Sequence, residues 1–235
     1  MRPMQRAAKS PRVFTAEQAL GPLNEVERKH APQTLYVAGD VRLLRARNGV
    51  AIVGARAASA PGLARARRLA RFLAGHGIPV VSGLAAGIDA AAHLEAIAAG
   101  GTTIAVLGTP LDQVYPRQNA DLQRRITAEH CAVSQFAPGS SVVRGNFIRR
   151  NRTMALVSTA TVIVEAGDSS GSLSQGWEAL RLGRPLFIMR SLLAMPNLTW
   201  PRSMQDHGAM ALAEPDDLLE CVPSSDRGGI AAAAF

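Results

Sequence analysis

The residues best suited to chemistry in this chain fall in short glycine- and serine-rich segments and in one run of arginines. Four segments, GARAAS at 54–59, SGLAAGID at 82–89, GTPLD at 108–112 and GDSSGS at 167–172, each follow an aliphatic run. Glycine lets a backbone approach a ligand closely, and a loop that runs into a helix offers free N–H groups and the positive end of a dipole to an anion. The segment RGNFIRRNR, Arg144 to Arg152, sets four arginines beside Asn146, Asn151 and Phe147. Guanidinium forks at that density suit several phosphates, and a phenyl ring among them suits a stacked base. A plainer reading stays open: one or two of these arginines pair with Glu165 or Asp168, and Phe147 fills the core. Ser170 and Ser172 open a helix, as caps, as a phosphate cradle, or as both.

Other chemistry finds little support in the spacing. Asp89 and His93 stand four apart on one expected helix, which invites an acid–base reading, yet an aspartate at an N-cap and a partly buried histidine are each commoner than a catalytic pair. SGLAAGID is not G-x-G-x-x-G, no acidic residue follows at the spacing a ribose needs, and no G-x-x-x-x-G-K-[ST] occurs, which argues against a dinucleotide site and P-loop phosphate cleavage. Cys131 and Cys221 have neither a C-x-x-C pattern nor a histidine at metal spacing, which argues against structural zinc and suits a reducing compartment. The expectation is a binding site with no catalytic residue, cofactor or metal.

The elements that must hold these segments alternate between strand and helix. The strand candidates are LYVAGD (a short edge strand), VAIVGAR, IPVVSG, TTIAVLG, CAVSQF, TVIVEA and PLFIMR, with helices over 62–74, within LAAGIDAAAHLEAIAAGG, over Ala120 to Glu129, at MALVSTA and at LSQGWEALRLG. Buried aliphatic strands alternating with helices predict an α/β fold of the doubly wound, mostly parallel kind. Residues 1–34 read as an N-terminal arm with at most one short helix, 35–190 as a Rossmann-like core, and 191–235 as a C-terminal extension with a helix at Pro215 to Cys221 and a frayed end. The 235 residues are 47% hydrophobic and 4% aromatic, enough for a sizeable aliphatic core and against wholesale disorder. No apolar run is long enough for a membrane helix, and the basic start lacks a signal-peptide core, so a cytoplasmic location is expected. The net charge of +8 rests on arginine, with lysine only at Lys9 and Lys29. That bias favours nucleic acid, although a GC-rich genome would write it as well.

Taken in order and spacing, GAR-x-x-S-x-x-G at 54–62, VVSGLAAGIDAAAH at 80–93, TIAVLGTPLDQVYPRQN at 103–119, S-x-F-x-PG at 134–139, NFIRRNR at 146–152 and VEAGDSSGSL at 164–173 resemble the DprA/Smf DNA-processing family. The resemblance runs from about Leu35 to Met189 and is that of a minimal or divergent member. It departs from the family pattern at Ala86, Pro110, Gln135, Gln175, Gly176 and Met189 to Ser191. It implies an extended Rossmann-like fold, a homodimer, single-stranded DNA in a basic pocket, and loading of RecA recombinase during natural transformation. Carried to this chain, it puts Arg56, Ser82, Gly83, Arg150, Asn151, Arg152 and Ser170, Gly171 and Ser172 in the pocket. Gly54, Ser59, Gly87, Asn146, Phe147 and Arg149 complete the expected phosphate- and DNA-binding set. Two other classes stay open: a phosphoribohydrolase-like enzyme, for which Glu178 stands displaced from the expected place, and a nucleotide-sensing defence module using the same pocket.

Overall fold

Runs of valine, isoleucine, leucine and alanine too short for helices are buried on both faces when sandwiched as strands between helices, and this governs the centre of the chain. The computed structural model describes residues 11–222. Its strands are β1 (Arg12–Phe14), β2 (Leu35–Gly39), β3 (Val50–Gly54), β4 (Val80–Ser82), β5 (Thr103–Leu107), β6 (Cys131–Ser134), β7 (Ala160–Glu165), β8 (Leu186–Met189) and β9 (Met210–Leu212). Helices α1 (Ala16–Leu20), α2 (Glu25–His30) and α3 (Arg42–Arg45) precede β3, and α4 (Ala60–Gly75), α5 (Ile88–Ala98) and α6 (Ala120–Glu129) each follow one of the next strands. The remainder are α7 (Arg144–Val157), α8 (Ser172–Arg181), α9 (Arg190–Leu193) and α10 (Trp200–Asp206), and Pro215–Cys221 forms a 3-10 helix.

The nine strands form one sheet in the order β1-β2-β6-β5-β4-β3-β7-β8-β9. Pairing is parallel from β6 through β9, and the β1–β2 and β2–β6 pairs are antiparallel, so that β2 alone runs against the other strands. Side chains alternate across the sheet. Val50 and Ile52 of β3 join the core under α4 and α5, whereas Ala51 and Val53 join the core under α7 and α8. The chain winds from β3 outward to β6, then returns to the other side of β3 through β7 and β8. The switch point therefore lies between β3 and β7, where the loops after both strands diverge and leave a crevice.

The sequence expectations need three corrections. LYVAGD is not an edge strand: β2 pairs with β6 on one side, and on the other Val13 of β1 pairs with Tyr36. Pairing satisfies a row of backbone groups that would otherwise lie open, so Arg12 to Phe14 of the supposed loose arm take the edge. Second, two helices rather than one precede β2. Thr15 and Asn24 each open a helix with a reciprocal capping box, and Gly21, at φ +82°, separates them. Third, the arginine run, which could be a loop or a helix entrance, lies within α7, so the helix expected at MALVSTA already begins at Arg144. Residues 1–10 of the expected arm and the frayed end from Ser224 lie outside the described residues.

The N-terminal helices are tied to the sheet by charge. Glu27 is buried and pairs with both Arg47 and Arg184. Burial pushes its carboxyl up, but the Arg47 hydrogen bond, the Asn24 N–H and the charges of Arg47 and Arg184 outweigh it and hold Glu27 below the usual carboxylate range.

Candidate functional site

A cavity of about 850 Å³ opens at the switch point. Its lining comes from the loop after β3 (Gly54, Arg56), the first turns of α7 (Arg144, Phe147) and the first turn of α8 with its preceding loop (Ser170, Ser172). These segments meet because each begins at the carboxyl end of a sheet strand or the amino end of a helix packed on the sheet.

Arg150 forms the floor. The residue is 6% exposed, and Nη1 donates to the carbonyls of Gly83 (2.5 Å) and Val106 (2.7 Å), while Nε donates to Asn151 Oδ1 (3.1 Å). Among the described residues Nη2 has no protein acceptor, and the residue lines the cavity. Gly83 is glycine for this reason: a Cβ there would stand 2.1 Å from Nη1. Burial lowers the affinity of Arg150 for its proton and the charge of Asp89 raises it; a guanidinium stays charged across the accessible pH range. Asp89 is buried too, and burial pushes its carboxyl above the usual range against the opposing pull of Arg150. It does not cap α5, whose first flanking residue is Gly87. Instead its carboxylate accepts the N–H groups of Gly83 (3.1 Å) and Ala85 (3.3 Å) and so fixes the loop after β4.

The wall above this floor is aromatic and apolar. Phe147 lies on the Gly108 backbone, where a Cβ would come within 2.6 Å of its ring. Tyr115 packs beside it at 5.2 Å between centroids, and the Arg56 guanidinium lies 5.8 Å from its ring centre. Tyr115 is 48% exposed, Val143 57% and Ile148 60%, so an apolar rim surrounds a basic interior. Opposite it, α8 starts after Gly171 with no side-chain cap; the Ser170 and Ser172 hydroxyls bond to each other at 2.7 Å. First-turn N–H groups at such an end suit an anion. Asn151 joins the two walls by donating to the Gly171 carbonyl at 3.2 Å.

The structure thus brings Gly54, Arg56, Phe147, Arg150, Asn151, Ser170, Gly171 and Ser172 to one cavity. Other expected residues lie beneath it. Ser59 caps α4, accepting from the Gly62 N–H at 3.0 Å while its hydroxyl donates to Glu165. Ser82 is fully buried and donates to the Ile52 carbonyl at 2.7 Å. Gly87, at φ +77°, lets the second loop pass against the first, since a Cβ would lie 2.3 Å from the Ala55 carbonyl. Asn146 is buried, with its amide directed at the Ser141 carbonyl.

Arg149 and Arg152 leave the cavity altogether. Both sit on the far side of α7, where Arg149 stacks over Phe136 at 5.4 Å and Arg152 pairs with Glu178 at 3.1 Å. A helix separates adjacent side chains by about 100°, so four arginines in one run could not all face one crevice. The acceptor is neither Glu165 nor Asp168, the partners the plainer reading named. Glu165 holds Ser59, and Asp168 accepts from Thr199. Glu178, shared by Arg152 and Arg181, is turned away from the cavity, whose lining includes one carboxylate, Asp89. His93 is fully buried, with Nδ1 at 2.6 Å from the Thr103 hydroxyl, and burial drops its pKa to about 3. Asp89 and His93 have different partners and form no couple. The cysteines are free, and burial pushes Cys131 up to about 12.

Sequence reasoning missed Tyr115 and the apolar rim. The available signal was the placement of one of only two tyrosines in the loop that follows β5 at the ligand-facing edge of the sheet.

Comparison with known proteins places this architecture. Residues 13–223 match the family described as DNA recombination-mediator protein A. Protein Smf of Synechocystis is 41% identical over 164 residues, 70% of this chain and 39% of that protein. The structure of DNA processing protein A from Streptococcus pneumoniae superposes with a TM-score of 0.78 at 31% identity, over 92% of this chain and 75% of that one. DNA processing protein A from Helicobacter pylori, whose structure was described for its single-stranded DNA binding mode, superposes with a TM-score of 0.74 at 27% identity, over 89% of this chain and 94% of that one. The chain spans about half the length of the curated relatives it matches.

Proposed function

Because this chain belongs to the DNA recombination-mediator protein A family, we propose that its switch-point cavity binds single-stranded DNA without altering it covalently. One observation carries the reading: the arginines Arg56, Arg144 and Arg150 meet an aromatic ledge in a single cavity of about 850 Å³. Arg56, Arg144 and the α8 N-terminus face the phosphates, Arg150 supplies fixed positive charge below them, and Phe147 with Tyr115 offers a stacking surface. Stacking and phosphate contact are both indifferent to base identity, so binding is tolerant of sequence. A double helix keeps its bases stacked inside, away from such a ledge, so single strands are preferred. The relative from Helicobacter pylori, with its single-stranded DNA binding mode, supports the same class of ligand.

The test is titration of labelled oligo-dT at several salt concentrations. Each phosphate neutralised on a single strand contributes about 0.7 to the salt slope, so Arg56→Ala with Arg144→Ala makes it shallower by about 1.4. Phe147→Ala weakens binding by about 1 to 3 kcal/mol with the slope unchanged. A double arginine variant with the parent's affinity and slope would falsify the reading, as would tighter binding of free nucleotides than of oligo-dT.

The family resemblance extends the proposal to a cytoplasmic homodimer that assists RecA loading in recombination or natural transformation, with residues 35–190 carrying the DNA site. Sedimentation of the purified chain, alone and with RecA, tests both: a single monomeric species in each case rejects them.

A further inference from the structure

α7 has a second basic face, and it borders a second cavity. The first cavity takes Phe147, Arg150 and Asn151 from α7; the second, of about 490 Å³, takes Arg149 and Arg152. Facing these two across the second cavity are Lys29 and His30 at the end of α2, with Tyr36 of β2 and Gln135 after β6. Among the described residues no carboxylate lines it, although Glu178 pairs with Arg152. Arg149 has no acidic partner among the described residues and is held in place by its stack over Phe136 at 5.4 Å. The Thr153 hydroxyl donates to Gln135 Oε1, which leaves the amide N–H groups of Gln135 free to donate elsewhere.

The surface between the cavities is continuous. Residues four apart on a helix are neighbours, so Arg144, Ile148 and Arg152 form one row along α7 and Gly145 and Arg149 the row beside it. Arg144 and Ile148 border the first cavity, Arg149 and Arg152 the second. Ile148 is 60% exposed, and a Cβ on Gly145 would meet nothing within 4 Å. Ile148 and Gly145 thus form an exposed ridge between the two cavities.

We propose that the second cavity binds the sugar–phosphate backbone of the strand whose bases occupy the first, so that single-stranded nucleic acid crosses α7 between Arg144 and Arg149. This rests on the reading of the first cavity as a single-strand site. The chemistry of the two differs. The first combines positive charge with aromatic rings; the second combines positive charge with neutral donors from Tyr36 and Gln135, which suits phosphate and sugar rather than bases. The second site therefore adds length dependence without adding sequence preference.

The experiment compares oligo-dT of about 4 nucleotides, enough for one cavity, with oligo-dT of about 20. Lys29 and Arg149 are exposed, so Lys29→Ala and Arg149→Ala, singly and together, leave the core untouched. The double variant binds the short oligonucleotide like the parent, and for the long one its salt slope is shallower by about 1.4, so that raising salt from about 50 to 200 mM weakens the parent about sevenfold more than the variant. Equal effects on both lengths, or none on the long one, overturn the second site while leaving the first in place. A parent that binds neither length overturns both.

Discussion

Replacing Arg150 with methionine separates a structural role from a binding role. Methionine is close in length and apolar, so it removes the charge and the donors while filling much of the space. The Gly83 and Val106 carbonyls lose their Nη1 donor, and Asp89 stays buried without its countercharge. An orphaned buried acceptor costs about 1 to 3 kcal/mol, and removing one member of a buried charged network costs about 3 to 5 kcal/mol in total. For a chain of this size that is a fall of about 6 to 20 °C in melting temperature. Adding Asp89→Asn removes the unpaired charge, so the double variant should recover part of the loss, and the difference between the cycle's two arms measures the coupling. Urea unfolding of the four proteins, alongside oligo-dT titration below the transition, is the assay. A single variant with the parent's unfolding midpoint would show that Arg150 is not a pillar. Independent, additive losses would show that Asp89 and Arg150 do not act on each other.

Two further predictions concern the buried charges. His93 is neutral when folded, with a pKa of about 3 against 6.5 for the free side chain. Its contribution is therefore complete above pH 6.5 and is lost as pH falls from there toward 3, because only the unfolded chain takes up the proton. Between those limits unfolding free energy should fall by up to about 1.4 kcal/mol per pH unit more steeply in the parent than in His93→Gln; parallel curves would reject the assignment. At the other end of the chain, Glu27→Ala leaves Arg47 and Arg184 with no shared carboxylate and should cost about 3 to 5 kcal/mol in a urea titration, far more than breaking the exposed Arg28–Glu17 pair. Equal costs would mean that the buried cluster is no tighter than a surface pair.

The alternation of buried aliphatic runs with amphipathic helices was enough to read the doubly wound sheet, since hydrophobic period and element length are local properties of the chain. So was the gathering of the loops after β3 and β7 at one edge, because winding outward from β3 and back again forces a switch point there. The short antiparallel edge was not legible: β1 is three residues long, and its partner is chosen by an open sheet edge rather than by its own pattern. Nor could the sequence divide its arginines. Arg149, Arg150 and Arg152 share composition and neighbourhood, yet one crosses to a second cavity, one becomes the buried floor of the first, and one pairs with Glu178. That division depends on the rotational setting of α7 against the sheet and α8. The setting is fixed by packing of Met154, Ala155 and Leu156 in the core, which no local spacing encodes. Tyr115 follows the same rule: its loop was visible, but only the folded chain brings its ring against Phe147.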